Sequence, residues 1–399
     1  MSEMATEATY GKLRDFLDRQ AAGFPATDTG SDIDLLKLMF TPEQAEVEIH
    51  MKMAPESAEV IAKRCSKAVE ETTRILESMV KDGLIMPVPG KGRNYYMVLQ
   101  YITGFGENVW AYRLNPEMAE AIDRYSEDVH FDTWLVGQKQ MRVVPVNEAV
   151  EIAKAEVATY NDIKQMITSH KDISVSPCPC RQLAKNLGRG CDHMIDTELS
   201  FDFIARYRID NGFGRRLTRE EALEFVKAAE EEALIVSPVN AREQIAMCFC
   251  CGCSCYWVKG LKIQDRPADY VMSSYYAAVD ESKCTKCGTC IERCQIDARV
   301  EGDRVMKVDL ARCIGCGLCV SRCPTGASTL VMKEHPERPP STLLSRYAEI
   351  GQERGVPFGK NRRLLSLVSA NTFMKLMSLL HRARLAQPVL NIMDKLGRF

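Results

Sequence analysis

Sixteen of the seventeen cysteines in this 399-residue chain lie between Cys178 and Cys323. Thiolates at that density repel one another and oxidise unless a metal centre absorbs their charge. Two runs are regular: Cys284-x2-Cys287-x2-Cys290-x3-Cys294 and Cys313-x2-Cys316-x2-Cys319-x3-Cys323-Pro324. Spacing of this kind, occurring twice, suits a pair of [4Fe–4S] cubanes. Three cysteines at two-residue gaps, relieved by Gly288, Gly315 and Gly317, let a tight loop wrap three corners of a cubane. The fourth cysteine of each run is read at the head of a short helix, reaching across to the other cluster. Cys284, Cys287, Cys290 and Cys323 are therefore assigned to one cluster, and Cys313, Cys316, Cys319 and Cys294 to the other. Zinc ribbons use separated Cys-x2-Cys pairs, not four cysteines packed within eleven residues.

Between the runs, Val300-Glu301-Gly302-Asp303-Arg304-Val305 reads as a hairpin, as a pseudo-symmetric half of a bacterial ferredoxin-like module requires. Gln295 stands where proline usually follows the fourth cysteine. Proline there shapes the backbone and ligates nothing, so a local change of path is expected, with the cluster retained.

A second field is less regular. Cys178, Cys180 and Cys191 come first, and Cys248, Cys250, Cys251, Cys253 and Cys255 crowd together later. Adjacent residues such as Cys250 and Cys251 do not turn easily to one metal, so only a subset of the eight is expected to ligate. The simplest arrangement takes two or three from the first group and one or two from the second. Arg181 has the chemistry to donate to a cluster sulfur or to hold an anion. A third iron–sulfur centre, a zinc site and a redox-active dithiol pair are all open here, since spacing alone does not choose the metal. His50, His130 and His193 are isolated and read as ordinary surface or core residues. His193, two residues past Cys191, is the one placed to become a ligand.

The surrounding elements must position these thiols. Residues 1–30 read as a helical arm (Tyr10 to Gln20) and a connector. Over 31–100, Ala58, Ile61 and Cys65 fall at helical spacing. Ser66 is read as the cap of a second helix, whose Val69, Leu76, Met79 and Val80 share a face. A turn at Pro89-Gly90-Lys91-Gly92 and a return strand Asn94–Val98 complete a winged-helix outline. Over 101–275, a central cysteine-rich domain, Met141–Val146 reads as a strand and Val150–His170 as mostly helix. Thr218-Arg219-Glu220-Glu221 is a capping box opening a helix with Ala222, Phe225, Val226 and Ala229 toward the core. That helix lies between the two cysteine fields and is expected to bring them together. The ferredoxin-like module spans 276–334, and 335–399 form a linker and a basic tail.

Phe40-Thr41-Pro42-Glu43-Gln44-Ala45-Glu46, Arg142-Val143-Val144-Pro145-Val146-Asn147, Cys178-Pro179-Cys180-Arg181, Cys248-Phe249-Cys250-Cys251-Gly252-Cys253 and the two cysteine runs follow one order. That order resembles a family of 4Fe–4S dicluster-domain proteins of anaerobic bacteria and archaea that begin with a winged-helix-like segment. The resemblance covers about residues 30–330 and implies electron transfer without naming a substrate. The family often has a further cysteine shortly after the one matching Cys191. Here Glu198, Leu199 and Ser200 occupy that stretch, which argues against a four-thiolate site drawn from the first group alone.

Charge weighs against nucleic acid as a partner. Residues 31–100 carry nine Lys/Arg and eleven Asp/Glu. The second helix holds Glu70, Glu71 and Glu77 beside Lys67, Arg74 and Lys81, a poor match to phosphates. Lys91 and Arg93 alone favour it. The tail from Arg362 to Phe399 carries seven Lys/Arg and one Asp. Phe373, Leu376, Met377 and Leu380 make it amphipathic up to Pro388. Such a helix packs on its own body, docks on a partner or lies on a membrane face. The N-terminus lacks a secretory pattern and no stretch is long and apolar enough to span a bilayer, so a cytoplasmic protein is expected, with peripheral contact at the inner membrane face as the variant. No glycine-rich nucleotide or flavin fingerprint follows a clear strand, so electrons are expected from a redox partner protein. The sequence thus predicts an α+β, multi-domain iron–sulfur electron-transfer protein or oxidoreductase subunit with two [4Fe–4S] clusters and a further cysteine-ligated centre, iron–sulfur or zinc. The alternatives are a redox-sensing winged-helix regulator and an enzyme that uses the central cysteines on a small molecule.

Overall fold

The computed structural model describes residues 3–89, 94–146, 148–150, 161–356 and 370–382. The expected turn at Gly90-Lys91-Gly92, the charges of Lys91 and Arg93, the middle of the Val150–His170 helix and Pro388 lie outside the described residues. Helices and strands are mixed, and the chain divides into two compact units, Met1–His130 with Ser341–Phe399, and Phe131–Pro340. The second holds both cysteine fields.

The first unit opens on a helix, Glu3–Asp18, longer at its start than the Tyr10–Gln20 arm. The helix Pro42–Glu48 is closed by a reciprocal pair: Thr41 caps the Gln44 N–H, and the Gln44 side chain accepts from the Thr41 N–H. Next come β1 (Glu56–Ser57), helices Ala58–Cys65 and Val69–Lys81, β2 (Ile85–Pro89) and β3 (Asn94–Val98), with the strands ordered β1-β3-β2 and antiparallel. Ser66 does not start the second helix. At φ 55° it ends the first one, and Ala68 precedes the second without a side-chain cap. The buried face of Val69–Lys81 is Thr72, Ile75, Leu76, Met79 and Val80, whereas Val69 itself is exposed in the first turn. The tail helix Ala370–Arg382 packs on its own unit. Met377 is buried with Ala54, Phe373 and Leu380 lie against that cluster, and Leu376 and Leu379 stay exposed. No described helix is long and apolar enough to cross a membrane.

The second unit is built on a five-stranded antiparallel sheet ordered β6-β4-β5-β8-β7. Its strands are β4 (Ile173–Pro177), β5 (Asp196–Phe201), β6 (Arg215–Leu217), β7 (Ile235–Pro238) and β8 (Ala246–Cys250). Met141–Val146 is not a strand but makes isolated bridges to Val239 and Met272. Its N–H groups go to different partners: Arg142 to the Pro238 carbonyl, Val143 to Met272, Val144 to Val236 and Val146 to Cys316. Pro145 has no N–H to give, so no ladder forms. The expected capping box at Thr218 and Glu221 is present and opens the helix Arg219–Glu231, which buries Ala222, Val226 and Ala229. Phe225 is half-buried and meets Phe249 edge-on, 4.9 Å between ring centroids. Toward its end the unit pairs β9 (Tyr275–Val279) with β12 (Ser328–Met332) around a hairpin of β10 (Arg299–Glu301) and β11 (Met306–Val308). The hairpin turn closes where the Gly302 N–H meets the Val305 carbonyl at 3.1 Å.

Candidate metal centres

The two regular cysteine runs fold as a pair of loops, each closed by a short helix, Thr289–Glu292 and Leu318–Ser321. Gly288 and Gly317 precede these helices at φ 83° and 77°, conformations that only glycine adopts without strain. Cys290 and Cys319 sit inside the helices. The fourth cysteines, Cys294 and Cys323, do not head them, as the spacing had suggested, but lie just past their C-terminal ends. A single turn of helix brings each fourth cysteine round toward the opposite loop. Cys294 accordingly lines a small cavity, partly open to solvent, together with Cys313, Cys316 and Cys319 of the other run. Gly315 approaches the Tyr275 carbonyl so closely that a Cβ would lie 2.1 Å from it, so the loop closes tightly around that space. In the other set, Cys287 lies within electrostatic reach of Cys323, and Cys290 within reach of Cys284 and Cys287.

Backbone N–H groups converge on these sulfurs. Ala298 donates to Cys294 at 3.2 Å, Ala277 to Cys313 at 3.4 Å, Ser328 to Cys323 at 3.3 Å and Met306 to Cys284 at 3.5 Å. Such donors stabilise thiolate sulfur and the added charge of a reduced cluster. Burial pushes the Cys316 thiol well above its ordinary range. Cys319 is pushed up to about 11 by burial, which Arg299 opposes. Arg299, 4% exposed, donates to Cys319 Sγ at 2.9 Å and to Ser328 Oγ at 3.0 Å. In the absence of a metal these buried sulfurs favour the thiol; a bound metal replaces the proton. Hydrogen-bond donors aimed at sulfur, a cavity lined by four cysteines and a nearby buried cation fit an iron–sulfur cluster.

The central field separates into two groups, and Cys250 and Cys251 turn apart as their adjacency requires. Cys248 and Cys250 alternate on β8 and so share one face. Cys178 and Cys255 stand at the N-caps of the helices Pro179–Asn186 and Tyr256–Lys262, whose positive ends favour anionic sulfur. Hydrogen bonds run along a chain of thiols: Cys178 donates to Cys180, Cys180 to Cys255, Cys255 to Cys250 and Cys250 to Cys248. The set therefore takes two cysteines from the first group and three from the second. The Cys180 bond and burial raise Cys178, while burial together with neighbouring Glu198 lifts Cys248 to about 11 against its bond with Cys250. Glu198 occupies the β5 position directly opposite Cys248, and Arg208 neutralises it at 2.7 Å, both side chains buried. The stretch where a further cysteine was sought thus faces this set with a paired carboxylate.

Cys191, Cys251 and Cys253 form the other group. Cys191 Sγ lies 4.0 Å from Cys251 Sγ and accepts from the Ser254 hydroxyl at 3.3 Å. Burial raises Cys191, but hydrogen bonds from Ser254 and Cys253 outweigh it and hold its pKa down, whereas burial and then Cys191 push Cys253 to about 12. Arg181 is buried beneath both groups. Its guanidinium donates to the carbonyls of Met194 and Phe249 at 3.1 and 3.0 Å and to Thr197 Oγ1 at 2.5 Å. Burial works against its charge, yet Cys178, Cys251 and Cys250 raise its pKa. It is a counter-charge to sulfur, with its fork spent on the protein and not on a free anion.

The two fields touch. Gly252, between Cys251 and Cys253, donates its N–H to Gln295 Oε1 at 2.7 Å, and a Cβ on Gly252 would come 2.4 Å from the Gln295 carbonyl oxygen. The helix Arg219–Glu231 spans both sides, as its place in the sequence suggested: Phe225 packs on Phe249 beside Cys248 and Cys250, and Arg293 beside Cys294 donates to the Glu230 and Glu231 carbonyls at 2.6 and 3.2 Å. Sequence reasoning missed Arg299, Glu232 (on His193) and the role of Gln295. The departure from proline at 295 was a visible signal; the other two contacts join residues 20 and 39 apart with no periodic mark.

No curated protein and no solved structure matches the chain. Residues 277–330 match the 4Fe–4S dicluster domain family, which, with the cysteine-rich region beside it, points to an iron–sulfur electron-transfer role.

Proposed function

We propose that the chain is an electron-transfer protein or oxidoreductase subunit of anaerobic metabolism, with two [4Fe–4S] clusters and a third centre in the central field. Cys284, Cys287, Cys290 and Cys323 hold one cluster, and Cys294, Cys313, Cys316 and Cys319 the other. The observation that carries this reading is the cavity where Cys294 joins three cysteines of the opposite run. Bound clusters supply one-electron carriers. The chain's own part is to exclude water around the sulfurs, to present N–H donors to them and to place Arg299 beside Cys319. The third centre is held by four of Cys178, Cys180, Cys248, Cys250 and Cys255. Electrons come from and go to redox partner proteins.

Iron and acid-labile sulfide, measured with EPR on anaerobically purified protein, test the reading. About twelve irons per chain support three cubanes, and about eight remove the third. Colourless protein without iron overturns the whole. A second reading of the central set has its own observation: its thiols touch pairwise along a chain, and drawing four of them to the roughly 3.8 Å spacing of a single tetrahedral ion with Zn–S of about 2.3 Å would make a zinc site. About eight irons with zinc bound at this set would select it.

The β1-β3-β2 sheet and the helices Ala58–Cys65 and Val69–Lys81 are read as a winged helix used for docking a protein. Glu70, Glu71 and Glu77 on the second helix disfavour DNA. A regulator would instead show a salt-sensitive gel shift with promoter fragments. Leu376 and Leu379 on the tail helix are offered as a contact for a partner helix.

A further inference from the structure

The structure assigns a separate mononuclear metal site to Cys191, His193 and Cys253, with one coordination position left open to solvent. One ligand atom from each of the three lies within 4.8 Å of the other two. A tetrahedral zinc-type ion, with bonds of about 2.0–2.3 Å, draws such donors together to about 3.4–3.8 Å. The adjustment is small because Cys253 is exposed and Cys191 and His193 are half-buried.

The histidine is already oriented for the task. Glu232 Oε2 meets His193 Nδ1 at 3.2 Å and is itself fixed by the Met194 N–H at 2.9 Å. With Nδ1 engaged by Glu232, Nε2 is the nitrogen left to ligate a metal. Carboxylate behind histidine is the arrangement that sets tautomer and basicity at metal sites. Glu232 follows directly on the helix Arg219–Glu231, a rigid support.

Cys251 stands beside the site at 4.0 Å from Cys191, but it is not among the donors that all lie within 4.8 Å of one another. Two thiolates and one imidazole then complete the protein's share. Three protein ligands with a free position mark a site that takes an exogenous ligand, in contrast to the four-ligand structural kind. The mixed sulfur and nitrogen set suits a zinc-class ion better than a cubane, which takes four ligands on four irons.

This assignment goes beyond the iron–sulfur reading and is tested apart from it, with Zn2+ as the probe and iron counted in the same samples. Anaerobic full-length protein is titrated with Zn2+ against a chromophoric chelator, and bound metals are measured by mass spectrometry. Cys253→Ser is expected to bind one equivalent of zinc fewer than the parent with iron unchanged. Glu232→Gln is expected to weaken that equivalent 10- to 100-fold, about the range for loss of such a backing group. The zinc K-edge signal lost with Cys253→Ser should fit two sulfur ligands, with nitrogen or oxygen making up the rest. The assignment is overturned if the parent takes up no zinc, if Cys253→Ser keeps the full complement or sheds iron with it, or if three sulfurs are found. His193→Ala, at a quarter-exposed position, gives the same loss through a second ligand.

Discussion

Replacing Arg299 with methionine should lower the reduction potential of the cluster held by Cys294, Cys313, Cys316 and Cys319, and lower that of the other cluster less. The guanidinium is buried and hydrogen-bonds to Cys319 Sγ at 2.9 Å. Burial opposes its charge, but Cys319, then Cys290 and Cys313, raise its pKa, so it stays cationic within reach of cysteines of both sets. A reduced cluster carries one more negative charge, which the cation stabilises. At an effective dielectric of about 20, a unit charge about 6 Å from the added electron contributes roughly 3 kcal/mol. For a one-electron couple that is about 120 mV.

The assay is an EPR-monitored redox titration of anaerobic protein. Methionine fills most of the arginine stem's volume, and Arg299→Lys retains the charge while losing the second hydrogen bond to Ser328. The lysine protein should fall between parent and methionine variant. Full iron content with both midpoint potentials unmoved in Arg299→Met would refute the electrostatic argument. A larger shift in the cluster that includes Cys284 would refute the placement.

Two further outcomes concern stability. Glu48 is fully buried, neither carboxylate oxygen has a hydrogen-bond partner, and burial raises its pKa well above normal. The folded chain therefore keeps this proton where the unfolded chain, with a pKa of about 4.3, has lost it. Its contribution is complete below that pH and declines as pH rises toward the native value. Glu48→Met should flatten this slope and raise the melting temperature more at pH 8 than at pH 4; an equal gain at every pH would contradict it. Gly252→Ala forces a Cβ to 2.4 Å from the Gln295 oxygen and should cost about 1–3 kcal/mol in thermal or denaturant unfolding. Gln295→Ala, which removes only the side-chain acceptor, should cost about 1 kcal/mol and leave iron content unchanged.

What could be read from the sequence follows the range of the interactions. The helix spacing at Ala58, Ile61 and Cys65, the Thr218 capping box and the hairpin around Gly302 are set by residues a few positions apart, and each is present. The grouping of Cys294 with Cys313, Cys316 and Cys319 also rests on local loop geometry that repeats in each run. Met141–Val146 misled because a short run rich in valine signals an extended chain without saying that one partner will take all its hydrogen bonds. Ser66 misled because a serine before an apolar periodic run is a start signal, whereas here it takes φ 55° and ends the preceding helix. The division of the central cysteines was illegible for a different reason. Cys178 and Cys180 meet Cys248, Cys250 and Cys255 only because β5 and β8 pair in the register Glu198 to Cys248, a fact of the whole sheet.

Gln295 shows how much a single departure from a pattern can carry. A free-standing two-cluster module has no use for a polar side chain directly after its fourth cysteine. Here the residue before it is Cys294, and the group it holds is the backbone N–H between Cys251 and Cys253. The two cysteine fields are thereby joined through one hydrogen bond flanked by the immediate neighbours of their thiols. Proline at this position offers no side-chain acceptor, and any side chain on Gly252 would push the loops apart. Arg293 adds a second clamp by binding the end of the helix whose following residue, Glu232, orients His193. Two rigid attachments beside Cys294 hold the two cysteine fields at a fixed distance. A module tethered by a linker would leave that distance to chance.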